Sequence, residues 1–251
     1  GCDKHCTYCI IPSLRGKFRS VPEERLLKQA EYMASQGVKE LILVAQETTV
    51  YGTDLYGKKT LHILLKKLCQ IKGIRWIRIL YCYPEEIYDE LIQVMKEEKK
   101  ICHYLDLPIQ HASDRILRRM GRRTSKAQLV DIITKLRREI PDIVLRTSLI
   151  TGFPGETEED HQELMEFVDE MEFDRLGVFT YSPEEGTPAE TMEGQVPEEL
   201  KEERRDEIME LQQEISLEKG DSRIGQELLV MIEGKVSGES AYIGRTYGDA
   251  P

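Results

Sequence analysis

Apolar residues recur along this chain in two rhythms that take turns. From Val21 to Gln36 they fall at 26, 27, 30, 33 and 34, one stripe of a helix, with Gly37 as its stop. Lys39 to Gln46 carries instead a continuous leucine and β-branched run, which predicts a strand covered on both faces. The alternation continues with a helix over 60–70, a strand over 76–81, a helix over 85–97 and a strand over 104–107. Helices near 113–120 and over 125–139, a strand over 145–150, a helix over 157–171 and a strand over 173–181 complete the series. Thr157 and Asp160 form a capping pattern at the start of the penultimate element.

Strands and helices in alternation, with connections long enough to cross over, imply parallel strands in right-handed βαβ units. Five strands are visible and a sixth is expected just before Gly1, so residues 1–183 read as an α/β fold, an incomplete (β/α)6 barrel. Chemistry in such a barrel belongs at the C-terminal ends of the strands. The N-terminal cysteines, Gln46 and the glycine-containing turn after Ile150 all fall there.

Beyond Pro183 the pattern changes. Residues 184–221 are rich in glutamate and read as an acidic linker with one long exposed helix, 198–219, whose apolar positions are 200, 208, 211 and 215. Within 222–251 two short strands, 227–232 and 241–246, flank Gly-Ser turn chemistry. Two strands do not make a stable β domain, so this is expected to be the opening of a small antiparallel barrel.

Composition narrows the function. Hydrophobic residues make up 40% of 251, enough for a core, and no apolar run approaches a membrane span. The net charge of −11 argues against the whole protein being a nucleic-acid binder. Basic residues still gather at Arg15, Lys17 and Arg19 and at Arg115, Arg118, Arg119, Arg122 and Arg123, either as solvated faces or as contacts to substrate or cofactor. The chain starts at Gly1 without a visible signal peptide and reads as a piece of a longer polypeptide. Free thiols fit a reducing cytoplasm.

The first nine residues, Gly-Cys-Asp-Lys-His-Cys-Thr-Tyr-Cys, place Cys2, Cys6 and Cys9 at Cys-x3-Cys-x2-Cys spacing. Three thiolates on one tight loop can hold three irons of a four-iron cubane and leave the fourth open. Zinc with His5 or a distant cysteine is the alternative, as is an electron-transfer module. Zinc sites, however, favour paired knuckles, and no second pair is present. Cys69, Cys82 and Cys102 stand singly among apolar or aromatic neighbours and read as buried small hydrophobes. Gln46 ends a strand with a side-chain carbonyl able to accept hydrogen bonds. Gly152 to Thr157 is either a plain strand–helix turn or a place of close backbone approach.

The cysteine segment resembles the cluster loop of the radical S-adenosylmethionine enzymes. Leu107-Pro-Ile-Gln-His-Ala-Ser113, Gly152-Phe-Pro-Gly-Glu-Thr157 and Tyr181-Ser-Pro with Gly186-Thr187 narrow the resemblance to the methylthiotransferase branch. It covers nearly the whole chain. The resemblance implies a [4Fe–4S] cluster on Cys2, Cys6 and Cys9 and S-adenosylmethionine held by Tyr8, Gln46, Gln110, Ser148, Gly152 and Phe153. Tyr8 is equally able to fill the barrel mouth, and His5 and His111 read as supporting or structural. It further implies a C-terminal TRAM-type barrel and an N-terminal domain with a second, sulfur-supplying cluster, which is absent from this sequence.

Ala45-Gln-Glu-Thr-Thr49 and Gln110-His-Ala-Ser113 are similar to the ribosomal-protein aspartate methylthiotransferase family rather than to its tRNA-modifying, MiaB-like cousins. Charge agrees: in 222–251, Arg223, Lys235 and Arg245 face Glu227, Glu233, Glu239 and Asp249. A near-neutral barrel suits docking on a basic ribosomal protein better than tRNA binding. The family's logic is reductive cleavage of S-adenosylmethionine by the cluster, with an external electron donor. The 5′-deoxyadenosyl radical then takes hydrogen from the β-carbon of an aspartate in a small-subunit ribosomal protein, which receives a methylthio group. Without the second-cluster domain, residues 1–251 are expected to make the radical and not to insert sulfur.

Overall fold

The computed structural model describes all of residues 1–251. In chain order its elements are α1 (Ile11–Arg15), α2 (Glu23–Ser35), β1 (Glu40–Leu43), α3 (Thr53–Tyr56), α4 (Leu61–Cys69), β2 (Trp76–Ile79), α5 (Asp89–Glu97) and β3 (Ile101–Asp106). There follow α6 (Asp114–Arg119), α7 (Lys126–Glu139), β4 (Val144–Thr151), α8 (Glu158–Met171), β5 (Arg175–Thr180), α9 (Glu198–Asp221), β6 (Met231–Lys235) and β7 (Tyr242–Arg245). The two short helices α1 and α3 escape the periodicity because neither is long enough to show one. α3 is fenced by Gly52 and Gly57, both left-handed.

β1 to β5 form one parallel sheet in sequential order, from Glu40 beside Trp76 to Arg146 beside Arg175. The sixth strand was expected before Gly1, and residues 1–251 do not test it. Side chains alternate across the sheet with period two. Outward positions such as Ile77, Ile79, Leu105, Leu145 and Leu149 join Leu65, Leu91, Leu129, Leu164 and Phe167 of the helices in a core of 37 buried residues. Each such side chain is worth about 1.5–3 kcal/mol of burial. Both faces are covered, yet the inward face is not apolar: Arg78, Tyr104, Asp106, Arg146 and Ser148 point that way. That inward polarity is where chemistry can sit.

The α8 capping box forms as expected: Thr157 accepts from the Asp160 N–H, and Asp160 accepts from that of Thr157. The long C-terminal helix departs from expectation. α9 is no exposed connector, since it lies against β4, β5 and α8. Ile208 and Ile215 enter the main core, and Lys201, Arg204 and Gln212 are buried with them.

β6 and β7 pair antiparallel as an isolated hairpin. Its far end docks at the foot of the barrel, where Met231, Tyr247 and Ala250 pack on Trp76, Cys102, Tyr104 and Val144. Fully buried Arg78 stacks over the Tyr104 ring at 4.7 Å. It donates to Glu40 at 2.9 Å and to the Tyr247 carbonyl at 2.7 Å. Glu40 also accepts from Arg245 at 2.6 Å. No helix is long and apolar enough to cross a membrane.

Candidate active site

The cysteine loop is fixed by backbone bonds to three distant parts of the chain. Cys2 N–H donates to the Gly16 carbonyl at 3.2 Å, Thr7 N–H to that of Met120 at 2.9 Å, and Ala189 N–H to that of Thr7 at 2.9 Å. Gly121 is required there: its φ is +70°, and a Cβ would stand 2.8 Å from the His5 carbonyl. Cys2 and Cys6 are buried, Cys9 is half-buried, and all six cysteines are free. Burial is the first cause that pushes the Cys2 and Cys9 thiols up, and the neighbouring Cys6 adds to it. A cationic metal core would reverse that preference and favour thiolates. Cys2, Cys6 and Cys9 share one loop without converging on a point, and no three His, Cys, Asp or Glu side chains elsewhere gather around one either. Thiolates at the corners of a cubane need no such point.

Beside this loop the strand ends enclose a cavity of about 340 Å³, the size of a small-molecule site. Tyr8, Gln110 and Ser148, three of the residues expected at the cofactor, line it together. So do Tyr81, Asp106, Arg146 and Tyr181, which the sequence reading left out. Arg146 pairs with Asp106 at 2.5 Å and donates to Ser148 at 3.2 Å. The Tyr181 hydroxyl is buried without a partner. Tyr81 (φ 58°) and Gln110 (φ 74°) hold left-handed backbone that side chains rarely adopt. Both are cavity residues, so the strain sits at the rim. Gln110 is pinned to β4, its N–H on Ser148 O and its carbonyl on Ile150 N.

Gln46 is exposed, whereas its neighbour Glu47 is buried. Thr49 donates both N–H and hydroxyl to Glu47 Oε1, while Oε2 has no partner at all. Burial, eased by Thr49 and Lys4, raises the Glu47 carboxyl to about 7. Cys2 feels its charge. A lone buried carboxylate oxygen beside the cluster loop is an acceptor awaiting a cationic donor. Position in the turn after β1, not residue type, decides which of the two turns inward.

Gly152 and Phe153 lie one layer back from the cavity. Gly152 (φ +69°) is approached by Lys201, whose Cγ would meet a Cβ at 2.1 Å. Phe153 is fully buried and stands edge-on to Tyr8 at 6.3 Å and to Tyr181 at 5.3 Å. Beneath them Glu156 accepts from Gly152 N–H at 2.9 Å and Phe153 N–H at 3.3 Å. His111 takes the Ser113 N–H on Nδ1 at 2.9 Å, which leaves the Nε2 proton facing Glu156 at 3.4 Å. His5 is exposed.

The arginine group divides. Arg115 pairs with Asp160, and Arg119 holds the Pro154 and Glu193 carbonyls. Arg118 and Arg123 are exposed, and Arg122 is buried against Tyr83. Cys69, Cys82 and Cys102 are buried, and burial raises their thiols.

The sequence model of the Radical SAM superfamily matches residues 1–168. Over its whole length the chain is 67% identical to the ribosomal protein uS12 methylthiotransferase RimO of Lachnoclostridium phytofermentans. It is 56% identical to the protein of the same name from Clostridium perfringens. It spans 57% and 56% of the length of these relatives. The radical S-adenosylmethionine methyltransferase TsrM of Kitasatospora setae superimposes with a TM-score of 0.62 over 76% of this chain and 37% of that one, at 16% identity. SuiB of Streptococcus suis, solved with S-adenosylmethionine, gives 0.57 over 85% and 45%, at 15% identity. These two likenesses speak for the fold alone.

Proposed function

The chain belongs to the radical SAM superfamily, and on that footing we propose that it is the radical-generating core of a methylthiotransferase acting on an aspartate β-carbon of ribosomal protein uS12. The observation that carries this reading is the 67% identity over the full chain to a relative named for that activity. Cys2, Cys6 and Cys9 are the ligands of a [4Fe–4S] cluster, and the cavity beside them takes S-adenosylmethionine. When bound and reduced by an external donor, the cluster supplies the electron that cleaves the cofactor.

The remaining work is positioning. Glu47, which stands beside Cys2 rather than in the cavity lining, would offer its free Oε2 to the cofactor's ammonium, in place of the exposed Gln46. Tyr8, backed edge-on by Phe153, forms the wall that the adenosine meets, and Gln110 and Ser148 offer side-chain hydrogen bonds along the rim. Gly152 and Phe153 support that wall without facing the cavity. No general base is needed for hydrogen abstraction.

The hairpin favours a protein over tRNA as substrate. Arg245 is bound to Glu40 and Glu233, and Arg223 lies 3.8 Å from Asp174, which leaves little positive charge for phosphates. The reading also includes a second, sulfur-supplying cluster and a TRAM-type barrel. The setting is the cytoplasm.

The test is anaerobic reconstitution with iron and sulfide, reduction with dithionite, and assay of 5′-deoxyadenosine from S-adenosylmethionine. Formation that is lost in Cys6→Ala supports the radical core. A chain that binds zinc in preference, or carries a full cluster yet makes no deoxyadenosine, sinks it. A uS12 peptide that raises deoxyadenosine formation, where tRNA does not, supports the substrate.

A further inference from the structure

Arg122 is the least explained charged residue in the molecule. Its guanidinium is buried, and only Nη2 is engaged, donating to the Pro108 carbonyl at 3.0 Å with Glu85 3.9 Å away. Nε and Nη1, which carry three N–H groups between them, have no acceptor. Buried donors without partners cost about 1–3 kcal/mol each, more when charged, so a group that merely tied Pro108 to Glu85 would not need them.

Arg122 reaches the cysteine loop through Tyr83. The guanidinium stacks over the Tyr83 ring at 4.3 Å, and the Tyr83 hydroxyl lies 3.8 Å from Cys6 Sγ. Lys4, the other cation on the Tyr83 ring, is already bound to Glu86 and close to Glu85. Arg122 is thus the cation near Cys6 with hydrogen-bonding capacity to spare.

Resting on the cluster reading above, we propose that the Arg122 guanidinium, seated on Tyr83 beside Cys6, lends its positive charge and free N–H donors to the Cys6 corner of the cluster and thereby raises its reduction potential. The cluster gains one electron on reduction and becomes more negative. Fixed N–H donors and a positive charge at its sulfurs stabilise the reduced form more than the oxidised one. The electron comes from a one-electron, low-potential donor, and no bond in the protein forms or breaks. Tyr83 takes part as a lesser donor and as the surface on which the guanidinium is seated. Arg122 is a positioning and tuning residue here, with no contact to the hydrogen that is abstracted.

The experiment compares wild type, Arg122→Met, Arg122→Lys and Tyr83→Phe, each reconstituted anaerobically. Iron content is measured first and the midpoint potential second, by dithionite titration followed by electron paramagnetic resonance. At equal iron content, Arg122→Met should lower the reduction equilibrium at least tenfold, about 59 mV for one electron. Arg122→Lys and Tyr83→Phe should lower it less. An unmoved potential in an iron-replete Arg122→Met overturns the proposal and leaves the cluster reading standing. Should Arg122→Met fail to hold iron, the two milder variants decide, and no shift in either overturns it. A wild type that assembles no four-iron cluster removes both the reading and this inference.

Discussion

Arg204 on α9 reaches Glu156 across 48 positions of sequence, its Nη1 2.9 Å from Oε1, with both side chains out of water. Through Glu156 the contact continues to the Gly152 and Phe153 amides, and through the Phe153 ring to Tyr8 on the cluster loop. A helix that looks like an acidic spacer therefore holds the back wall of the cavity beside the cysteines.

The two partners should not be equally costly to lose. Arg204→Met leaves Glu156 with its amides and His111 and should cost about 3 kcal/mol. Glu156→Ala strands two amides, leaves the buried Arg204 guanidinium with only Glu158 and the residue-156 carbonyl, and should cost about 5 kcal/mol. Denaturant unfolding of each variant gives the comparison, and equal losses would refute the ordering.

Glu47 should make the cluster-free chain sensitive to alkali. Burial is the main cause that lifts its carboxyl from 4.5 to about 7. The folded state then holds a proton that the unfolded state has released. This advantage is complete below about pH 4.5 and disappears as pH rises through 7. Relative to Glu47→Gln, wild type should lose on the order of 3 kcal/mol between pH 5 and pH 8. Urea midpoints that stay parallel across that range would show the carboxyl to be unperturbed.

Cofactor affinity separates Glu47 from Gln46. A hydrogen bond to a charged group is worth about 1.5–3 kcal/mol, so Glu47→Gln should weaken S-adenosylmethionine binding roughly 10- to 100-fold. Gln46→Ala should change it less than about twofold, because the side chain is exposed. Calorimetric titration of the reconstituted protein settles the pair, and the reverse ranking would restore Gln46 to the site.

The six cysteines should fall into two classes. Alanine at Cys2, Cys6 or Cys9 should abolish the brown colour and the bound iron. Alanine at Cys69, Cys82 or Cys102 should keep both and lower stability by about 1 kcal/mol. Iron lost with any of the second trio would bring that thiol into the site.

Much of this was legible in the sequence because it is periodic or locally spaced. The five strands, most of the helices, the Thr157–Asp160 cap and the cysteine triplet belong to that class. The α9 seat was hidden because its buried positions include Lys201, Arg204 and Gln212, which hydrophobic periodicity counts as solvent-facing. That Glu47 and not Gln46 is buried was hidden because β1 stops at Leu43, and beyond it the turn, not the strand alternation, sets direction. Arg122 looks like its four neighbours in the sequence. Only burial against Tyr83 distinguishes it. The Gly152 turn was open to two readings, a plain turn or a close backbone approach, and the space beside it is taken by the chain's own Lys201.

The superfamily match stops at residue 168, inside α8, while α9 begins only at Glu198. What is inherited as a module and what melts as a unit therefore have different borders. A polypeptide cut at the edge of the match would keep every cluster ligand and lose β5, Lys201, Arg204 and the seats of Ile208 and Ile215. Its cavity wall would be free to breathe, and its unfolding would broaden into a gradual loosening. Exchanging barrels between relatives should succeed only where the distant helix travels with them.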